Sequence, residues 1–185
     1  GGHWLNLGSV ACFHPRNGTV ILNGNSTQWI NVFEIPADFP NTYPPAIANP
    51  FYFYNLIING ADVMLALKNT IGCRTDGSLT VNSGKKFSLI ISQGGTDKGF
   101  ITYGDVINDG TISTEYSGYF FTMYGTNKTL SGAGNFIKFP VNIRGTIIQS
   151  SSLNPFKAIL IDNTYSYTVN SSLTTTLSKY LTQES

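Results

Sequence analysis

Leu56-Ile57-Ile58-Asn59-Gly60 is an apolar run that ends in asparagine and glycine, and this phrase returns along the chain. The other copies are Val20-Ile21-Leu22-Asn23-Gly24, Leu79-Thr80-Val81-Asn82-Ser83-Gly84, Val106-Ile107-Asn108-Asp109-Gly110 and, more loosely, Pro140-Val141-Asn142-Ile143-Arg144-Gly145. Each phrase predicts a short strand followed by residues that readily adopt positive φ. The first four asparagines recur after 36, 23 and 26 residues, which is typical of a coil that stacks on itself.

The composition describes a single domain with a sizeable core and a nearly uncharged surface. The chain has 185 residues, of which 41% are hydrophobic and only 11% are charged, and its net charge is +1. This balance gives no electrostatic basis for binding nucleic acid or an anionic membrane. No stretch approaches the roughly 20 apolar residues that span a bilayer. A surface made of Asn, Ser, Thr, Gln and Gly is typical of extracellular β proteins.

Short strands separated by turn residues predict one all-β domain over residues 1–185. Residues 1–17 are interpreted as an N-terminal strand or cap, and 35–50 as a proline-rich insert, because five prolines there remove backbone donors. Residues 150–185 are expected to form C-terminal strands or a cap, with residues 171–182 as either a closing strand or a short helix. The predicted strands are 19–22, 28–33, 52–58, 63–67, 78–81, 87–91, 100–103, 110–113, 119–124, 136–139 and 143–148.

Two arrangements of these strands are open at this point. In a β-solenoid, a parallel β-helix-like stack, neighbouring coils bury each other's inner faces, and aligned asparagines hydrogen-bond along the stack. A β-sandwich of jelly-roll or immunoglobulin-like type is the alternative, because hairpins also use Asn-Gly turns. The uninterrupted aliphatic runs Leu56-Ile57-Ile58 and Leu89-Ile90-Ile91 favour the solenoid.

Three segments carry a resemblance to a known class of proteins. They run from Gly18 to Ile30, from Phe53 to Asn59 and from Gly77 to Lys85. Together they resemble the repeats of right-handed β-helix adhesins and other extracellular β-solenoid surface proteins of bacteria and archaea, over roughly residues 18–148. The resemblance implies a non-enzymatic protein at the cell surface. The short length favours a small subunit that works in numbers.

The cysteines and the glycosylation sequons both fit an exterior location. A disulfide between Cys12 and Cys73 is predicted, because the composition looks secreted; two buried free thiols are the alternative. The disulfide would close a long loop and contribute about 3–4 kcal/mol in the chain-entropy model. Candidate N-glycosylation sites are Asn17, Asn25, Asn127 and Asn170.

No catalytic, cofactor or metal site emerges with conviction. Asp62, Asp76, Asp105 and Asp109 lie near turns and could stack as paired carboxylates or as calcium ligands, but aspartate also favours turns for its own local hydrogen bonds. The aromatic residues offer a surface for sugar rings or for a protein interface. Those singled out for this are Trp4, Trp29, Tyr52, Tyr54, Tyr103 and Tyr119, with Tyr116 and Tyr124 as further stacking platforms.

The sequence therefore leads to three functional expectations. The first is a non-enzymatic, extracellular subunit that packs with copies of itself into a sheath, fibre or layer, because few lysines guard its strand edges. The second is a glycan- or host-binding adhesin or lectin domain. The third is a polysaccharide-cleaving β-helix enzyme. The expected partners are copies of the chain and glycans, with no cofactor, no nucleic acid and no membrane span.

Overall fold

The computed structural model is an all-β protein. It describes residues 4–6, 15–32, 51–68, 73–92, 99–114, 120–137, 140–151, 153–161, 165–170, 172 and 175–183. No helix occurs in this part of the chain. The strands are β1 (Trp4–Asn6), β2 (Thr19–Leu22), β3 (Gln28–Val32), β4 (Phe51–Phe53), β5 (Asn55–Ile58), β6 (Val63–Lys68), β7 (Cys73–Thr75), β8 (Leu79–Val81), β9 (Lys86–Ser92), β10 (Gly99–Thr102), β11 (Val106–Asn108), β12 (Thr111–Thr114), β13 (Phe120–Ser131), β14 (Asn135–Ile137), β15 (Pro140–Gln149), β16 (Leu153–Ile161), β17 (Ser166–Val169) and β18 (Thr175–Gln183).

Each pair of adjacent strands is parallel, and each strand pairs with the equivalent strand one coil away. One sheet has the order β1-β3-β6-β9-β12-β14. A second, larger sheet contains two ladders, one through β2, β5, β8 and β11, the other through β4, β7 and β10. Both ladders continue into the long strands β13 and β15. The first half of β13 pairs with β10 and its second half with β11, while the first half of β15 pairs with β16 and its second half with β17. This is a parallel β-solenoid and not a sandwich, since sandwich sheets are antiparallel.

Alternation along the strands places one set of side chains inside the coil and the other set outside. In β5 the burial alternates, so that Leu56 and Ile58 are fully buried while Ile57 is half-buried. Aromatic side chains fill another part of the interior, where Phe100 meets Phe87 edge-on at 5.3 Å and stacks on Phe121 at 5.6 Å between ring centroids. Burying such large side chains against those of the next coil is the dominant favourable term for the stack.

The interior also contains polar side chains that bond to equivalent positions one coil away. Thr75 Oγ1 donates to Thr102 Oγ1 across 3.0 Å, and both residues are fully buried. The hydroxyls of Ser88 and Ser113 lie 3.4 Å apart in the neighbouring sheet. Because buried hydroxyls need partners, these pairs hold adjacent coils in one register.

The predicted strands agree with the structure in most places, and three differences have clear causes. The register of the fourth phrase is shifted by one residue relative to the third. Asn108 pairs with Val81, so Asp109 and not Asn108 lies next to Asn82 in the following coil. The looser fifth copy of the phrase does not stack on the others, because Val141 pairs with Phe121, which continues the β4-β7-β10 ladder. The short strand β7 was missed, since its buried Cys73 and Thr75 are not strongly apolar.

Both ends of the chain contribute strands where they are described. Residues 150–185 contribute the strands β16, β17 and β18, so the described part of residues 171–182 is a strand and not a helix. The N-terminal segment contributes β1, which pairs with β3. The proline-rich insert lies outside the described residues.

Candidate functional site

Two asparagines of the repeated phrase, Asn59 and Asn82, are hydrogen-bonded across adjacent coils. Asn82 Nδ2 donates to Asn59 Oδ1 across 2.8 Å. The next position is Asp109, whose Oδ1 accepts the backbone N–H of Ala133 at 3.0 Å. Asn108, by contrast, points into the core, where its Nδ2 donates to the Asn135 carbonyl at 3.0 Å. The turn side chains therefore join coil to coil.

A second polar row lies at the other end of the same strands. Asn55 Nδ2 donates to Thr19 Oγ1 at 3.2 Å, while Asn55 Oδ1 accepts the N–H and the hydroxyl of Ser78. Two coils further on, Asp105 Oδ1 accepts the N–H and the hydroxyl of Thr129 at 2.8 and 3.0 Å. Since Asp105 and Thr129 lie in adjacent coils, these two hydrogen bonds link one coil to the next.

The four candidate carboxylates each have a separate local partner. Asp62 accepts from Ser88 Oγ at 3.4 Å, and Asp76 forms an ion pair with Arg74 at 2.8 Å. Within the described residues, no group of three or more His, Cys, Asp and Glu side chains is placed to hold a metal ion. The arrangement fits turn chemistry, which was the plainer of the two interpretations of these aspartates.

Three of the predicted aromatic residues meet in what we call the tyrosine–arginine ladder, formed by Tyr52, Arg74, Tyr103, Tyr124 and Arg144. The Arg74 guanidinium lies over the rings of Tyr52 and Tyr103, at 4.8 and 5.5 Å from their centroids. Tyr103 stacks on Tyr124 at 5.0 Å with an angle of 17° between the rings. Arg144 Nη1 then donates to the Tyr124 hydroxyl at 3.2 Å.

The geometry of this ladder decides what it presents to the outside. Tyr103 is 40% exposed, and Arg74 over its ring and Tyr124 stacked on it occupy ring surface that a sugar would otherwise stack on. Cation–π and ring–ring contacts of this kind contribute about 0.5–1.5 kcal/mol each. Sequence reasoning missed Arg74 and Arg144, because nothing in their local sequence shows that they align with tyrosines one coil away.

The remaining aromatic candidates lie apart from this ladder. Trp4 contacts Phe53 edge-on at 5.5 Å and is half-buried, while Trp29 is exposed on the sheet that begins with β1. Tyr54 is half-buried. Tyr116 and Tyr119 lie outside the described residues. A role of the aromatic residues in binding glycans or proteins stays a prediction.

The outer face of the β2-β5-β8-β11 ladder carries what we call the isoleucine row, made of Ile21, Ile57, Thr80 and Ile107. These residues pair in register from coil to coil. Ile21 is 53% exposed and Ile107 is 39% exposed, although both are large apolar side chains. The polar Thr80 separates Ile107 from the other two isoleucines, but exposed apolar side chains grouped on one sheet face are a candidate interaction surface. Ile107 was not among the candidate site residues, because its phrase was read only as a core strand.

Cys73 is a free thiol and is fully buried in β7, between Phe51 and Phe100 of the adjacent coils. The predicted Cys12–Cys73 disulfide is therefore not found, and Cys12 lies outside the described residues. A cysteine in such a position packs as a small apolar side chain. Burial raises the pKa of the Cys73 thiol, which keeps it neutral.

We expect Cys73 to be protected from thiol reagents in the folded protein. In a Cys12→Ser variant, which leaves Cys73 as the single thiol, alkylation at pH 8 should be at least tenfold slower than in the same protein unfolded by guanidinium, because the thiolate is the nucleophile. Because the buried thiol ionises less readily than the thiol of the unfolded chain, its contribution to the free energy of unfolding is complete below about pH 8.5, the ordinary pKa of cysteine. This contribution declines as the pH rises above that value. Equal labelling rates in the two states would contradict the assignment.

The four sequon asparagines are all on the surface. Asn17, Asn25, Asn127 and Asn170 are exposed, so each is accessible to a glycan. Asn127 has a positive φ of 54° and lies at the register shift of β13, next to Gly125 with a φ of 105°. Accessibility is a requirement for glycosylation and agrees with the predicted sites, which stay predictions.

Comparisons with protein-family models, with curated proteins and with solved structures each find no match. Among the described residues, no helix is long and apolar enough to cross a membrane. The class of protein defined by the fold is the parallel β-solenoid. Its outward features are the tyrosine–arginine ladder and the isoleucine row.

Proposed function

We propose that the protein is a non-enzymatic, extracellular surface protein that assembles with copies of itself into a sheath, fibre or layer. The observation that carries the proposal is the isoleucine row, in which Ile21 and Ile107 are 53% and 39% exposed on one sheet face. Burying apolar area gains roughly 25 cal/mol per Å², so this face favours contact with another apolar surface.

A second copy of the chain suits this face, because the isoleucine row itself carries no charge. Its four members are uncharged. The carboxylates of Asp105 and Asp109, which flank Ile107 in the sequence, accept hydrogen bonds from Thr129 and Ala133 but keep their negative charge. Side-by-side packing that covers the row and leaves these carboxylates in water avoids the cost of burying an unpaired charge, which is several kcal/mol.

The test is light scattering over a concentration series together with negative-stain electron microscopy. We expect regular filaments, hoops or sheets from the natural sequence. The variant Ile107→Lys places a charge at one end of the row, in place of one of its two most exposed side chains, and should move the onset of assembly to at least tenfold higher concentration, equivalent to about 1.4 kcal/mol. Ser83→Lys is the matched control, because Ser83 is exposed in a turn outside the row. If light scattering shows only monomer at every concentration, the proposal is wrong.

A further inference from the structure

The chain contains three Asn-Gly pairs, at residues 17–18, 23–24 and 59–60. Asparagine is a thermolabile residue, and it loses its side-chain amide most readily before glycine, because the attacking backbone nitrogen then has no Cβ beside it. All three asparagines are exposed to water. Their relative reactivity in the folded protein therefore depends on the hydrogen bonds of the attacking nitrogen and of the amide that it attacks.

The glycine N–H groups of the three pairs differ in their hydrogen bonds. The Gly18 N–H donates to the Pro15 carbonyl at 2.8 Å, and the Gly24 N–H donates to the side-chain oxygen of Gln28. The Gly60 N–H forms no hydrogen bond within the described part of the chain. A nitrogen whose proton is held by an acceptor must leave that acceptor before it can lose the proton and attack. Gly60 therefore supplies the most available nucleophile of the three.

The side-chain amide of Asn59 is polarised by a residue of the next coil. Asn82 Nδ2 donates to Asn59 Oδ1 across 2.8 Å. When a nitrogen adds to the Asn59 Cγ, negative charge develops on this oxygen, and a donor that is already in place stabilises the charge as an oxyanion hole does. No comparable donor reaches Asn17 or Asn23 from the described residues. The pair at 59–60 thus combines an available nucleophile with a stabilised oxyanion.

We propose that Asn59 is a site of spontaneous deamidation in the folded protein, with Asn82 as the hydrogen-bond donor that promotes the reaction. The Gly60 nitrogen loses its proton to a solvent base and forms a bond to the Asn59 Cγ. The bond between Cγ and Nδ2 then breaks, and Nδ2 takes up a proton and leaves as ammonia. Water opens the resulting succinimide at either carbonyl and gives aspartate or isoaspartate. The net reaction is hydrolysis of an amide, so water is its single co-reactant.

The two products fit the stack differently. An aspartate at residue 59 keeps an oxygen at the position to which Asn82 Nδ2 donates. Isoaspartate carries the main chain through the side chain and lengthens it directly before Gly60. Gly60 is buried, and a Cβ added to it would lie 3.2 Å from the Gly24 carbonyl oxygen, so a longer chain has little room there. Aspartate therefore preserves the stack, whereas isoaspartate disturbs it, and either product lowers the net charge from +1 to zero.

The test follows the three pairs by peptide mass spectrometry while the unglycosylated chain is incubated in mildly alkaline buffer. In the folded protein, we expect Asn59 to lose its amide at least about tenfold faster than Asn17 and Asn23, the factor that corresponds to roughly one hydrogen bond. In the same chain unfolded by guanidinium, the three pairs should react at similar rates, because the folded hydrogen bonds are gone. Ion-exchange chromatography measures the accompanying change in charge.

Asn82→Asp tests the role of the hydrogen-bond donor. Aspartate has nearly the size of asparagine but offers a carboxylate in place of the N–H group, so the oxyanion is no longer stabilised. Deamidation at Asn59 should then slow by about three- to tenfold. Asn127→Asp is the matched control, because it makes the same change of charge at an exposed position in β13 and should leave the rate at Asn59 unchanged. Circular dichroism confirms that each variant is folded.

The outcomes separate the site from the role of its neighbour, and they do not depend on whether the protein assembles. If Asn17 or Asn23 reacts as fast as Asn59 in the folded protein, or if Asn59 does not react there, the assignment of the site is overturned. If Asn59 reacts fastest but Asn82→Asp fails to slow it, the role of Asn82 is overturned. A fast reaction at Asn59 that Asn82→Asp slows and Asn127→Asp leaves unchanged supports both.

Discussion

Replacing Gly104 by alanine is expected to destabilise the protein by about 3–5 kcal/mol, the range of severe overpacking. Gly104 is buried, and a Cβ added to it would fall on the backbone carbonyl oxygen of Gly77 in the preceding coil. Backbone atoms cannot move aside without disturbing the stack. The obstruction is therefore larger than one from a flexible side chain. The measurement is the free energy of unfolding from a guanidinium titration.

Gly84→Asn is the matched control for this prediction. Gly84 has a φ of +71° and no atom near the place of its missing Cβ, and asparagine adopts this backbone conformation more readily than other residues do. We expect a change of no more than about 1 kcal/mol. If Gly104→Ala were as mild as the control, the close approach of the coils at Gly77 would be wrong.

The second large effect is expected for Phe100→Ala, at about 3–5 kcal/mol. Phe100 is fully buried and contacts Phe87 and Phe121, which lie in different coils and on two sheets. Truncation leaves a cavity that rigid parallel strands fill poorly. The loss should therefore lie near the top of the range and lower the melting temperature by roughly 10 °C.

Tyr103→Ala is the control for the loss of an aromatic ring. Tyr103 follows Phe100 closely in sequence but is 40% exposed and stacks outside the coil on Tyr124. We expect it to cost only about 1 kcal/mol, since one aromatic pair contributes about 0.5–1.5 kcal/mol. Equal losses for the two variants would contradict the assignment of Phe100 to the interior and Tyr103 to the surface.

The parallel solenoid could be predicted from the phrase around Asn59, because strand length, apolar alternation and a turn residue were all local signals. The register could not. Coil-to-coil separations vary from 36 residues between Thr19 and Asn55 to 23 between Asn59 and Asn82 and 19 between Gly132 and Ser151. With such variation, the alignment of Asn108 with Val81 depends on packing that only the folded stack provides.

The same variation in the number of residues per coil prevented a prediction of the tyrosine–arginine ladder from the sequence. Tyr52, Tyr103 and Tyr124 were chosen from the sequence as aromatic surface residues, but their stacking with Arg74 arises across coils of unequal length. The Cys12–Cys73 disulfide was inferred from composition, which carries no information about which way a side chain points. Cys73 points inward because its neighbours in the strand, Arg74 and Asp76, form an ion pair outside the core.

Because near-equivalent coils are stacked, the length of the molecule is set by the number of its coils. Each coil adds one strand spacing, about 4.8 Å, to the length of the protein. Four buried aliphatic side chains pair in register from coil to coil, those of Leu56, Leu79, Val106 and Leu130, so removal or duplication of one whole coil between them preserves the packing on either side. Spacing between whatever lies at the two ends can therefore change in fixed increments, independently of the chemistry at either end.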